Sequence, residues 1–522
     1  MIIACSFTAA KAQLTDTAGV KRIIIHHADK LGFVKADSVN QYQTLVGNVR
    51  AAQGNTLFYC DSAVLNQLSN TLEAFGHVHI NDADSVHIYS DYLKYLGREK
   101  KAVLTGNVKL TDGEGVLTTA RLDYDMGAKI GDYSSGGKLV RGKTVLTSRE
   151  GTYYEQTRDV FFKKNVVVID PDYKITTDTL LYNTYSSITT FIAPTVILSD
   201  SGRRKINTSD GYYDLQNKRA YFGKRPEIQD KSTFLIADEV AMDDSSGFGE
   251  ARGNVIYNDT AQKVSIFANH MNSNRNENSF LAREKPVMLI QQDKDSIFVA
   301  ADILYSARLS DLKKTRPVPV IRDSAFINFL VNDSSDRFFE AYYHVRIFSD
   351  SLQAVCDSLF YSGEDSVFRL FHNPVIWAQD GQITGDTVYL FTKNRKPERM
   401  LVFENAMSIN HLDDGYFNQM KGRIMDAKFI NGEIEHLRTK GNAESVYYAQ
   451  DDDNKYIGVN KASSDIIDIY FNDRRPSKVV FRSNLVGTTY PMRQVNHEEI
   501  RLRGFSWKES QRPKSRYELF AD

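Results

Sequence analysis

The sequence predicts an all-β protein, bent antiparallel strands stacked into an elongated, solenoid-like body, and three observations carry that prediction. In Leu104-Thr105-Gly106-Asn107-Val108-Lys109-Leu110 the apolar or small residues fall at 104, 106, 108 and 110 with polar ones between. This is the period-2 signature of a strand with one wet and one dry face. Leu45, Gly47, Val49 and Ala51 keep the same parity, as do Ala74, Gly76, Val78 and Ile80, and Ala251, Gly253, Val255 and Tyr257. The second observation is a repeat. Gly47, Gly76 and Gly106 stand 29 and 30 residues apart, and weaker echoes continue to Pro374-Val375, so the chain is built from stacked units. Third, the punctuation is that of antiparallel strands: Asn81-Asp82, Asp112-Gly113, Gly136-Gly137, Asp170-Pro171 and Asp380-Gly381 mark turns, and helical periodicity is absent.

In chain order, residues 1–12 read as a signal peptide, an apolar run closing in Ala10-Lys11-Ala12, and lipidation at Cys5 ranks second because almost no apolar segment precedes it. Val20 to Ile25 opens the first strand, and repeats fill residues 20–312. A second signature alternates with the glycine-bearing one, as in Ile88-Tyr89-Ser90-Asp91-Tyr92-Leu93-Lys94-Tyr95 and Ile175-Thr176-Thr177-Asp178-Thr179-Leu180-Leu181-Tyr182. There the apolar parity slips from even to odd, so the strand must bend or bulge at the Ser-Asp step, and the aspartate marks a corner. Lys313 to Pro319, with two prolines, is the best break, since proline removes ladder donors. Repeats continue over 320–471, and residues 472–522 form a basic tail in which the pattern dissolves.

A net charge of −1 gives no reason to expect nucleic acid or an anionic surface as partner. No run of 18 apolar residues exists to span a bilayer as a helix. The corner aspartates recur at 61, 91, 178, 210, 238, 302, 357, 386 and 465. A catalytic pair is needed once, whereas a residue at every bend is expected to accept backbone N–H groups in the turn. His77 and His79 share a wet strand face without further fixed ligands, so no metal site is assigned, and no nucleophile elbow, phosphate loop or zinc helix appears. An enzyme is not supported and no cofactor is implied. Cys60 and Cys356, each just before a corner aspartate, read as buried small hydrophobes rather than a disulfide.

The informative feature is the dry face itself, which two bent sheets would enclose as an apolar trough, either packed core or conduit. Alternation of Leu104-Thr-Gly-Asn-Val108 with Ser90-Asp-Tyr-Leu-Lys-Tyr95 resembles the OstA/LptA-like family of periplasmic lipopolysaccharide-transport proteins, over residues 20 to 470. The resemblance implies an open β-jellyroll whose trough-facing residues, Val49, Val78, Ile80, Leu104, Val108, Leu110 and Val255, bind lipid. It further implies lipopolysaccharide, through its lipid A acyl chains, as ligand, and other transport components of the inner and outer membrane and end-to-end self-association as partners. The implied location is the periplasm, in association with the outer membrane. The chain departs from the short bridge proteins in its length, and no C-terminal barrel of alternating strands with aromatic girdles is evident. The alternative reading is a structural or carbohydrate-binding exported β-solenoid with its interior packed shut.

Overall fold

A computed structural model describes residues 22–35, 41–292, 296–318, 336–393, 396–412, 414–451, 453, 455–472 and 475–520. The signal-peptide segment 1–12, Cys5 and Pro319 lie outside the described residues. The regular structure is almost wholly antiparallel β, as the alternation predicts. Among the described residues one α-helix is present, Leu309–Thr315, a two-turn segment that overlaps the stretch read as a break. It buries Leu309, and its acid-first, base-last order suits the helix dipole. The chain forms two compact units, residues up to Asn217 and residues from Lys218 onward.

The first unit begins with β1 (Ile24–His27), β2 (Lys30–Lys35), β3 (Gln41–Gln53), β4 (Thr56–Asn66), β5 (Thr71–Asp82), β6 (Val86–Leu96), β7 (Lys101–Thr111) and β8 (Val116–Asp125). From β3 to β8 each strand pairs with the next, and every ladder is interrupted midway: between Val46 and Val49, Tyr59 and Ser62, Phe75 and Val78, Tyr89 and Tyr92, and Thr105 and Val108. Two residues of left-handed backbone cause each break on the glycine-bearing strands, Gly47 and Asn48, Gly76 and His77, Gly106 and Asn107. Glycine has no Cβ to clash there, and asparagine tolerates the conformation better than most residues. Every long strand is thereby folded into two halves. Further along, at residues 130–154, the halves separate into the short strands Ile130–Tyr133, Gly137–Arg141, Thr144–Ser148 and Glu150–Tyr154.

The predicted parity slip is present in β6, where Ile88 and Ser90 face inward before the corner and Leu93 and Tyr95 after it. The role expected of the corner aspartate needs correction. Its carboxylate does not serve chiefly as an acceptor for turn N–H groups but takes a side chain of the next strand. Asn107 Nδ2 donates to Asp91 (2.7 Å), Asn254 Nδ2 to Asp238 (2.8 Å) and Asn48 Nδ2 to Asp29 (3.1 Å), while His77 and His344 do the same work at Asp61 (2.8 Å) and Asp302 (2.9 Å). In return the amide of Asp29 donates to the Gly47 carbonyl, and that of Asp238 to the Gly253 carbonyl. The Gly-Asn step and the Asp step are two halves of one latch.

In the second unit the same left-handed pairs recur at Gly253 and Asn254, Tyr343 and His344, Glu404 and Asn405, Gly441 and Asn442, and Ser483 and Asn484. An inward core runs from Ile266 through Val345, Val402 and Ala443 to Ile467. Beyond Asn472, where the alternation fades in the sequence, Arg475–Arg482 and Val486–Tyr490 still pair with Tyr456–Asn472. The chain then turns back and crosses the strands as a belt on their outer face. Ile500 and Leu502 pack with Met407, Ile409, Val446, Tyr448 and Val459, and Leu519 packs with Val287 and Ala300. Three buried glutamines of the sheet fasten it. Gln419 accepts from the Leu502 amide (2.9 Å), Gln382 accepts from the Lys508 amide (2.7 Å) and donates to the Ser506 carbonyl (2.8 Å), and Gln353 accepts from Arg512 Nε (2.8 Å).

Candidate functional site

The interior of the first unit is bounded on one side by the corners, where the chain itself is continuous. Val49, Val78, Ile80, Leu104, Val108 and Leu110 all point into it and are buried, as Val255 is in the second unit. Their direction follows the predicted parity, while Asn48, His77, Asn107 and Asn254 are exposed at the corners. Val108 is 1% exposed and Ile80 and Leu104 are 0%, so the interior around them is closed to solvent. A void of about 20 Å³ lies against Leu110, lined also by Leu117, Leu139, Val160 and Phe162.

Opposite the corners, the ends of the strands meet. The first rim carries the turns after Gln53, Asp82, Thr111 and Arg141, and the second carries those after Asn66, Leu96, Asp125, Tyr154 and Asn183. No ladder joins the described strands across these rims; side chains do. Gln53 donates to the Gly97 carbonyl (3.0 Å) and accepts the Tyr95 hydroxyl. Asp82 accepts the Thr56 hydroxyl (2.7 Å) and the Lys129 ammonium, which also lies 3.5 Å from Glu155. Glu155 in turn accepts the hydroxyls of Tyr124 (2.6 Å) and Ser85 (2.7 Å). Asp112 takes Arg158 (3.2 Å), the Tyr153 hydroxyl (3.2 Å) and the Thr184 hydroxyl (3.1 Å). Arg141 reaches the Tyr182 hydroxyl (3.1 Å), the Thr184 carbonyl and Glu114 (3.1 Å).

This seam places charge in a poorly hydrated position, and the residues are arranged to bear it. Burial works against the Asp112 carboxylate, but the amides of Glu114 and Gly115, the Thr184 hydroxyl and Arg158 outweigh it and hold its pKa below the ordinary value. Burial first, and the Glu155 carboxylate second, push the Tyr124 hydroxyl far up, so it stays a neutral donor. Burial does the same to Tyr95 and Tyr153.

Tyr95, Tyr124, Tyr153 and Tyr182 follow one another every 29 residues. That spacing was available as a signal, yet read one at a time a tyrosine in a β-rich chain passes for an ordinary strand residue. Outside, the His-x-His pair divides. His77 belongs to the corner latch, and His79 stacks on Tyr89 and meets His87 at 3.1 Å. Among the described residues no group of three or more histidines, cysteines or carboxylates is placed to hold a metal.

Residues 20–178 match a family described as OstA-like protein. Over that segment the chain is similar to OstA-like proteins. The segment contains β3 to β8, the interior residues from Val49 to Leu110 and the Asp82 and Asp112 parts of the seam. Among solved structures, the chain is similar to LptH, described as the LptA homologous periplasmic component of the conserved lipopolysaccharide transport device from Pseudomonas aeruginosa. Identity is 16%, covering 21% of this chain and 83% of that one, with a TM-score of 0.19. No curated protein matches the chain.

Proposed function

We propose that the chain is a periplasmic lipopolysaccharide-binding and transport protein, which shields lipid acyl chains in the interior of its bent sheets between inner and outer membrane. The observation that carries this reading is the boundary of that interior within the OstA-like segment. A dry column of Val, Ile and Leu is closed on one side by nothing more than exchangeable side-chain contacts. Burying an acyl chain contributes about 0.8 kcal/mol per CH₂ and needs no covalent chemistry. Because Val108 and its neighbours already cover one another, the chain must replace their mutual contacts, and the two halves have to part along the seam to admit it. The proposed partners are lipopolysaccharide, the membrane components that deliver and receive it, and further copies of the chain end to end. Among the described residues no helix is long and apolar enough to cross a membrane.

The test is site-specific photo-crosslinking in the intact envelope. A probe at Leu110, buried beside the void, is expected to capture lipopolysaccharide, and one at Lys109, on the outer face of the same strand, is not. The second reading, a structural module packed shut, is favoured by the closure of the interior. Absence of any lipid adduct at Leu110, with normal folding of the probe-bearing protein, would establish that second reading and refute ours.

A further inference from the structure

We infer that the seam of the first unit is also a binding site, in which Lys129, Arg141 and Arg158 receive the phosphate-bearing headgroup of the acylated lipid. The inference rests on the proposed lipid-binding function and adds to it the place and chemistry of the headgroup.

An amphipathic lipid asks for an apolar interior with cations at its lip, and the seam supplies that order of groups. Each of the three cations spans the contact of the two rims or lies beside it, and each keeps part of its side chain in solvent: 25% for Lys129, 20% for Arg141 and 35% for Arg158. Their partners lie deeper, Asp82 and Asp112 at 4%. At Lys129 and Arg158 the carboxylate is thus the inner group and the cation the outer one, whereas at Arg141 the paired Glu114 is the more exposed, at 58%. A second observation marks the point of entry. The void beside Leu110 is roofed by Asp112, Tyr153 and Thr184, the groups that Arg158 and Arg141 hold in place.

The exchange keeps each guanidinium paired. A phosphate offers a guanidinium the same two-oxygen geometry as a carboxylate with more charge, so Arg158 can trade Asp112 for it, and Arg141 can trade Glu114. Asp112 is not stranded when Arg158 leaves, because the amides of Glu114 and Gly115 and the Thr184 hydroxyl remain on it. Asp82 likewise keeps Thr56. The hydroxyls of Tyr124 and Tyr153 stay as neutral donors at the lip.

The experiment measures binding of three probes to the full chain: bisphosphorylated lipid A, the same lipid stripped of its phosphates, and inorganic phosphate. The proteins are the parent, Arg158→Gln, and the charge-neutral pair Lys129→Gln with Asp82→Asn, after which Glu155 keeps the Tyr124 and Ser85 hydroxyls. The parent is expected to prefer the phosphorylated lipid by about tenfold or more, and each variant to lose most of that preference. Arg158→Gln serves as the readout if the double variant fails to fold, since Asp112 keeps its other partners. Retention of the full preference in Arg158→Gln would overturn the headgroup site while leaving acyl binding intact. Equal affinity of the parent for both lipids would do the same. Competition by inorganic phosphate at the lipid's own concentration would assign the cations to a free anion and also overturn it. If the parent binds neither lipid, the lipid-binding function itself falls.

Discussion

Gly106 shows how narrowly single residues are specified at the corners. Its φ is +77°, and a Cβ added there would lie 2.6 Å from Asp91 Oδ2, so Gly106→Ala meets both backbone strain and a carboxylate. The expected loss is about 2–3 kcal/mol in chemical unfolding, against about 1 kcal/mol for Asn107→Ala, which removes only the latch bond. The two histidines of β5 make a second prediction, because they are two residues apart and shifted in opposite senses. The hydrogen bond to Asp61 raises the His77 pKa above 6.5, while burial, and then repulsion from His87, lower that of His79. The signs follow. The contribution of His77 is complete below pH 6.5 and is lost as pH rises through its folded value. His79 prefers to be neutral in the fold, so its protonation costs stability as pH falls below 6.5. An NMR titration should show the two resonances moving on opposite sides of pH 6.5, and coincident midpoints would contradict the corner latch.

Between elements, the first unit relies on two kinds of closure with different sensitivities. The corner is held by backbone, and the seam by side chains around buried carboxylates. Tyr124→Phe leaves Glu155 short of a short hydrogen bond and is expected to cost about 1–2 kcal/mol without changing the β content seen by circular dichroism. Asp112, whose folded pKa lies below 3.8, contributes its full stabilisation above that pH and loses it as acid carries the solution through the folded value. Asp112→Asn should therefore flatten the acid limb of the stability profile of the first unit. The sequence displays these two closures unequally. Corners are legible because they repeat in a fixed local pattern, Gly-Asn against Asp some 16 residues earlier, as in Asn107 and Asp91. Even so, the partner of the aspartate is not legible there, because an isolated Asp in a turn has its own backbone within reach. The seam was illegible for a different reason. Lys129 and Asp82 are 47 residues apart, Thr184 and Asp112 are 72 apart, and nothing in alternation says that opposite ends of bent strands will meet. Parity showed which way Val108 points, and parity alone could not show that the facing half would cover it.

For the molecule as a whole, the OstA-like match ends at residue 178 while the corner latch recurs as far as Asn484 and Asp465, so the local rule extends well past the recognised segment. Stability in such an array is close to a sum of neighbouring terms, and corner variants set far apart, Gly76→Ala with Gly441→Ala, should add to within about 0.5 kcal/mol where the two units unfold separately or together. The belt is the exception to this locality. Removing residues 499–522 should uncover Met407, Ile409, Val446 and Tyr448 together, which is measurable as dye binding and self-association on gel filtration. Its fastenings join residues 126 and 159 positions apart, Lys508 to Gln382 and Arg512 to Gln353, and they run against the direction in which the chain is made. A polypeptide emerging amino end first has therefore made the described strands of the second unit before residues 499–522, which cover part of their outer face, exist. Until residues 499–522 are made, the apolar surface of Met407, Ile409, Val446 and Tyr448 has no cover from them.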